Sequence, residues 1–245
     1  MKRVVIVQAR MSSTRLPGKI LADLLGKPML ARQLDRLQRC REFEELVIAT
    51  TINTSDDPVV ELARSAGVDC FRGDEHDVLG RYLGAAREVR ADLVVRVTAD
   101  CPLIDPEVAD RVIRTAAAGG VDRCDYASNT LTRTYPLGLD VEAFTMEVLE
   151  RMAREARSDA AREHVTYYLH REHPERFVCR EVKDVSDNSD LRWTVDTPDD
   201  LELIRRIYER ARLDRDWVPY SQLLEIVRSD PALVRLNQHV RQKET

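Results

Sequence analysis

Four short apolar runs, at 4–9, 46–51, 69–72 and 93–98, alternate with longer stretches of helical spacing at 28–41, 58–66, 78–90 and 106–118. That alternation limits the first half of the chain to one kind of fold. The runs are near-continuous Val, Ile and Leu, as strands covered on both faces require. Pro28, Pro58 and Pro106 stand near three helix starts, where a missing N–H leaves no bond unmade. Asp56 or Asp57 is placed to cap the second helix and Asp105 the fourth. The pattern predicts an α/β protein with a three-layer, doubly wound, mostly parallel sheet and ligands at the strands' carboxyl ends.

The second half is less regular. Runs at 126–129, 139–144 and 177–182 are candidate strands, with a small irregular, antiparallel excursion among them, and 147–156, 159–171, 198–212 and 220–228 are candidate helices. Polar loops at 129–138 and 184–190 are candidates for substrate contact or a lid. With no repeat and no linker, residues 1–245 read as one domain. A chain of this length buries roughly three quarters of its unfolded surface, so folding needs no staple.

Composition removes several classes of function. No apolar run approaches the roughly 20 residues of a membrane span, and the four apolar residues after Met1-Lys2-Arg3 fall short of a secretory signal's roughly 7–15. With 38 basic against 43 acidic side chains the net charge is −5, against non-specific nucleic-acid binding. The cysteines (Cys40, Cys70, Cys101, Cys124 and Cys179) are odd in number and lack C-x-x-C spacing. That usage predicts a reduced, cytoplasmic protein.

The chemistry concentrates after the first strand. Arg10, Arg15 and Lys19 crowd one loop with the hydroxyls of Ser12, Ser13 and Thr14, and Gly18 permits close backbone approach. Such a loop suits a polyphosphate, which offers many acceptor oxygens and several charges; an ordinary solvated basic loop is the plainer alternative. It is no Walker A loop, since Gly18-Lys19 is followed by Ile20, and it is no G-x-G-x-x-G turn. Asp100 lies where the fourth strand runs out, and Asp196 follows the apolar run 191–195 in the same manner. Two strand-end carboxylates near a phosphate loop suit Mg2+, which takes one or two carboxylates plus phosphate oxygens and water. Turn or capping roles remain the alternative for both.

After the third strand, Arg72, Gly73 and Asp74 or Asp77 are candidates for contact with a base, Asp77 being equally a helix cap, and Gln8 and Ala9 for backbone contact. Asn129, Arg133, Tyr135, Asp140 and Glu142 are candidates for binding an acceptor, with Asp140 foremost; packing roles compete for Tyr135 and Glu142. His164, His170 and His173 lack zinc-site spacing.

The segment A-R-x-x-S-T-R-L-P-G-K at 9–19 resembles the signature of the cytidylyltransferases that include the CMP-Kdo and acylneuraminate (CMP-sialic acid) synthetases. The likeness continues at Ala49-Thr-Thr51, Asp56-Asp-Pro-Val59, Phe71-Arg-Gly-Asp-Glu-His-Asp-Val-Leu-Gly-Arg-Tyr82 and Arg96-Val-Thr-Ala-Asp-Cys-Pro-Leu-Ile-Asp-Pro106. It extends through Gly138-Leu-Asp-Val-Glu-Ala-Phe144, Arg162-Glu-His-Val-Thr166 and Leu191-Arg-Trp-Thr-Val-Asp-Thr-Pro-Asp-Asp-Leu201, and is nearest the SpsF-like branch of spore-coat polysaccharide synthesis. The resemblance implies a nucleotide-diphospho-sugar transferase-like fold and CMP transfer from CTP to a sugar acid or phosphorylated small molecule. It also implies a catalytic metal on Asp100 and Asp196, pyrimidine discrimination by the 72–77 segment, Glu163 and His164 near the acceptor or a dimer partner, and a homodimer. A nucleotide-sugar glycosyltransferase and a silent nucleotide-binding protein are the alternatives. The first would more typically carry D-x-D at a strand end, where this chain reads Thr98-Ala-Asp100.

Overall fold

A computed structural model describes residues 1–118 and 124–242. The apolar runs form β1 (Arg3–Gln8), β2 (Glu45–Thr51), β3 (Asp69–Gly73) and β4 (Leu93–Thr98), and between them lie α1 (Met29–Leu37), α2 (Asp57–Ser65), α3 (Val78–Glu88) and α4 (Pro106–Ala117). The second half adds β5 (Tyr126–Ser128), β6 (Glu142–Thr145), α5 (Met146–Glu155), α6 (Asp159–Glu163), β7 (Cys179–Glu181), α7 (Pro198–Ala211), α8 (Tyr220–Ser229) and an unexpected α9 (Pro231–Arg235). The strands join in the order β3-β2-β1-β4-β6-β5-β7. Among the described residues only β6 is reversed in this sheet: it runs antiparallel to β4 and β5, while β7 is parallel to β5.

Alternation along each strand splits the core in two. Val5, Val7, Ile48 and Val95 face α1, α2, α4 and α7, while Val4, Ile6, Val47 and Val94 face α3, α5 and α6. The three-layer sheet is thus as expected. β1 has β2 on one side and β4 on the other, and the diverging connections open a crevice at their carboxyl ends. No helix among the described residues is long and apolar enough to cross a membrane.

Four expectations change. α1 stops at Leu37, because the backbone tightens there: Arg39 N–H donates to Arg36 O and Cys40 N–H to Leu37 O. The run 139–144 becomes strand only from Glu142, because Asn129 occupies its start. The Asn129 amide donates to Leu139 O and accepts from Val141 N–H, at 2.7 and 2.9 Å. The helix expected over 159–171 breaks after Glu163, with Val165 at φ 40 and a π turn at Tyr168–Glu172. A β-branched residue in the left-handed region is strained; the break sends Val165 into the core and Thr166 to Glu142. Finally, 191–195 is no strand among the described residues but a segment with one bridge, Leu137 to Arg192. Gly138 permits that contact: at φ 111, a Cβ there would collide with the backbone of Trp193 and Thr194.

Candidate active site

The crevice beyond β1 and β4 has two lobes. The first, about 300 Å3, is lined by Arg10, Ser12, Ser13, Thr14, Arg15, Lys19, Asp100, Glu163 and Asp196. The second, about 390 Å3, shares Gln8, Arg10, Arg15, Asp100, Glu163 and Asp196 with it and continues past Arg96, Arg133, Asp140, Glu142, His164 and His170.

The loop after β1 is coiled about one carbonyl, Met11 O, which accepts from Ser13 N–H and Gly18 N–H at 3.0 and 3.1 Å. Gly18 closes the coil at φ 69 and leads into the 3-10 turn that carries Lys19. Asp56 anchors the coil by accepting from Met11 N–H at 2.7 Å and from the Thr51 hydroxyl at 2.5 Å. It stands at the start of α2 but its side chain caps nothing there, whereas Asp105 caps α4 through Glu107 and Val108 N–H. Ser12 is tied to Glu75 at 2.9 Å.

Lys19 reaches both aspartates. Its Nζ donates to Asp100 Oδ2 at 3.0 Å, Asp196 Oδ1 at 2.8 Å and Val195 O at 2.8 Å. The loop before α7 comes to this place because Val195 N–H donates to Asp100 O at 2.8 Å. Arg15 and Arg192 both hold Asp196 Oδ2, at 2.8 and 2.7 Å. Burial opposes ionisation of Asp196, and Lys19, Arg15 and Arg192 more than reverse it, so its pKa lies below the ordinary value. Lys19 mirrors this: burial lowers its pKa, and the two aspartates leave it raised. The donor set suits a hard cation, with two carboxylates already sharing an ammonium. No group of three potential ligating side chains occurs among the described residues, so a metal held here would need further oxygen from water or phosphate.

Behind Asp196 lies a buried hub. Arg192 donates to Asp200 Oδ1 at 2.9 Å, Asp200 Oδ2 accepts from Asp196 N–H at 3.0 Å, and Asn237 donates to Asp200 Oδ1 at 2.8 Å and Arg192 O at 2.9 Å. Gln242 closes it, accepting from Arg192 Nη1 at 2.7 Å.

Across the second lobe, Arg133 donates to both Asp140 oxygens at 2.6 and 2.8 Å. Arg96, on β4, is paired with Glu142 directly opposite on β6. Glu142 also accepts from Tyr126 and Thr166 hydroxyls, each at 2.6 Å; burial pushes its pKa up, and Arg96 with these donors brings it below the ordinary value.

Of the candidates, the structure gathers Gln8, Arg10, Ser12, Ser13, Thr14, Arg15, Lys19, Asp100, Arg133, Asp140, Glu142, Glu163, His164 and Asp196 around this crevice. Others are committed elsewhere. Ala9 donates its N–H to Ala49 O. The Arg72 guanidinium is spent on Thr51 O, Asn53 O and Asp57. Gly73 ends β3 against Arg81 and its carbonyl accepts from Ile52 N–H. Asp77 caps α3 through Gly80 N–H and pairs with Arg162. Asn129 is the clasp described above, and Tyr135 is buried with its hydroxyl on Arg111 and its ring on Tyr220. The sequence reading gave no role to Arg96, Arg192 or His170. An arginine within the apolar run Leu93-Val-Val-Arg96-Val-Thr98 was the available signal for the first.

A profile of the cytidylyltransferase family matches residues 4–222. The chain is 32% identical over 233 residues to the spore coat polysaccharide biosynthesis protein SpsF of Bacillus subtilis, covering 92% of this chain and 94% of that one. It is 31% identical to a 3-deoxy-manno-octulosonate cytidylyltransferase of Anaeromyxobacter dehalogenans, covering 83% and 96%. A solved cytidylyltransferase from Leptospira borgpetersenii superposes with a TM-score of 0.90 at 32% identity over the whole of both chains. With fold, crevice and family profile in agreement, the chain belongs to the cytidylyltransferase family.

Proposed function

We propose that the protein transfers CMP from CTP to a sugar acid and releases pyrophosphate, in the synthesis of a surface polysaccharide or glycoconjugate. The observation that carries this reading is Lys19 meeting Asp100 and Asp196 on the floor of a loop-lined crevice. An acceptor oxygen bonds to the α-phosphorus as the bond to the β-phosphate oxygen breaks. The protein's part is positioning and charge stabilisation. Arg10, which makes no hydrogen bond or ion pair among the described residues, meets the triphosphate first. Arg15 and Lys19 swing from the aspartates to the phosphates, and Ser13 and Thr14, on the same lobe, supply hydroxyls. Asp100 and Asp196, freed of their ammonium, would hold Mg2+. When bound, that ion polarises the α-phosphate and offsets the charge of the leaving group. Arg133 and Asp140 orient the acceptor's hydroxyls. The reading includes a cytoplasmic site of action and a homodimer.

A pyrophosphate-release assay tests it, with four nucleoside triphosphates against sugar acids and sugar phosphates, with and without chelator. Mg2+-dependent release with CTP and a sugar acid is expected. Release of CMP or UDP from a nucleotide sugar instead would reject it.

A further inference from the structure

The match to the family profile ends at residue 222, yet the chain beyond it returns to the crevice. Leu233 of α9 and Asn237 after it are buried, at 1% and 3% exposure. Val240 N–H donates to Asn237 O at 2.9 Å, closing a turn, and Gln242 then reaches the wall of the second lobe.

Arg192 is what this segment holds. An arginine beside a carboxylate often takes both its oxygens through two parallel N–H groups. Here Arg192 gives Asp196 a single bond, Nη2 to Oδ2 at 2.7 Å, because its other corners are committed. Nε donates to Asp200 Oδ1 and Nη1 to Gln242 Oε1. Asp200 cannot follow a moving guanidinium. It is fully buried, and its Oδ2 accepts from Asp196 and Thr197 N–H at 3.0 and 2.9 Å. The Asn237 carboxamide donates to Asp200 Oδ1 and to Arg192 O, and so pins both partners at once. Among the described residues Asp196 Oδ1 then accepts only from Lys19.

We propose that the C-terminal segment is a positioning element of the active site: Asn237 and Gln242 hold Arg192 to one oxygen of Asp196 and keep the other exchangeable, from the Lys19 ammonium to a divalent cation. The inference rests on the metal part of the transfer reading, and its test is ion binding rather than turnover. Mn2+ is titrated into the full chain with CMP present, and free Mn2+ is read from its electron paramagnetic resonance signal. Gln242→Leu, at an exposed position, and Asn237→Ala, checked for an intact thermal transition, are expected to bind Mn2+ about 10-fold more weakly than the wild type, the lower end of what losing a partner behind a metal ligand costs. Gln242→Glu keeps an acceptor for Arg192 and should bind Mn2+ at least as tightly as the wild type. CTP affinity measured in chelator should be unchanged in all three, since the loop cations are untouched. Wild-type Mn2+ affinity in either folded variant, or an equal loss in Gln242→Glu, overturns the inference, as does a wild type that takes up no Mn2+. Asp196→Asn separates the two readings. If it abolishes Mn2+ binding while the tail variants bind normally, the positioning role alone falls; if it leaves binding intact, the metal assignment falls and the inference with it. Weakened Mn2+ binding in the tail variants, with no pyrophosphate released from CTP by any acid, would remove the transfer reading and leave the positioning role standing.

Discussion

The two walls of the crevice are built on opposite principles. On the wall that follows β1, the loop cations Arg10, Arg15 and Lys19 are either unpaired or bound to groups that another ligand can take over. On the wall made by β4, β6 and the 129–140 loop, each cation has its own carboxylate from the same wall, Glu142 for Arg96 and Asp140 for Arg133. An open cationic wall draws in a highly charged molecule and tolerates its flexibility. A wall of closed pairs adds little net charge and instead fixes hydrogen-bond directions. The difference teaches that charge supplies affinity on one side, and geometry supplies choice on the other.

The largest expected break in this comparison comes from Lys19→Met. Losing one charge contact at a developing oxyanion costs on the order of 3 kcal/mol, so kcat should fall about a hundredfold in a pyrophosphate assay. Turnover near the wild-type rate would remove Lys19 from the chemistry.

A smaller, reciprocal pair sharpens the contrast. Arg10→Ala should raise the KM for CTP about tenfold, or about 1.4 kcal/mol, and leave the melting temperature unchanged, since Arg10 makes no hydrogen bond or ion pair among the described residues. Arg133→Ala should do the reverse, lowering stability by about 1 kcal/mol after allowance for solvent screening with CTP binding kept. Melting curves and CTP titrations of both variants decide it; identical profiles would erase the distinction between the walls.

The smallest effect is in the pH dependence of stability. Burial lowers the pKa of His170 below its ordinary 6.5, so the unfolded chain takes up the proton first. Stability from this residue is full above pH 6.5 and is lost as pH falls from there through the lower folded value. Chemical denaturation at pH 7 and pH 5 should show a loss of stability on acidification in the wild type that is smaller in His170→Gln. Equal losses in both would place the titrating group elsewhere.

The same division governs what the sequence made legible. Residues of the first wall lie just beyond apolar runs, so strand ends located Arg10, Lys19 and Asp100 without knowledge of packing. Asp196 was placed correctly beside them for the wrong local reason, since 191–195 is drawn in by Asp100 O and Leu137 O rather than by strand pairing. The second wall depends on which strands become neighbours. Arg96 and Glu142 meet only because β6 reverses beside β4, and no spacing within the chain announces a cross-strand partner. Asn129, Tyr135 and Asp77 carry side chains fit for binding, yet each is consumed by the fold, because a buried polar group must be satisfied. Sequence shows what a side chain can offer and leaves open whether its own backbone claims the offer first.

The hub behind Asp196 bears on how the chain is made. Lys19 and Asp196 lie 177 positions apart, and Asn237 comes 45 positions after Arg192. During synthesis the early loop therefore meets Asp100 first, 81 positions after Lys19, and the second carboxylate, Asp196, only when most of the polypeptide has left the ribosome. The centre of the chemistry is complete only after its last-made parts, Arg192, Asp196 and Asn237, have joined the loop that was made first.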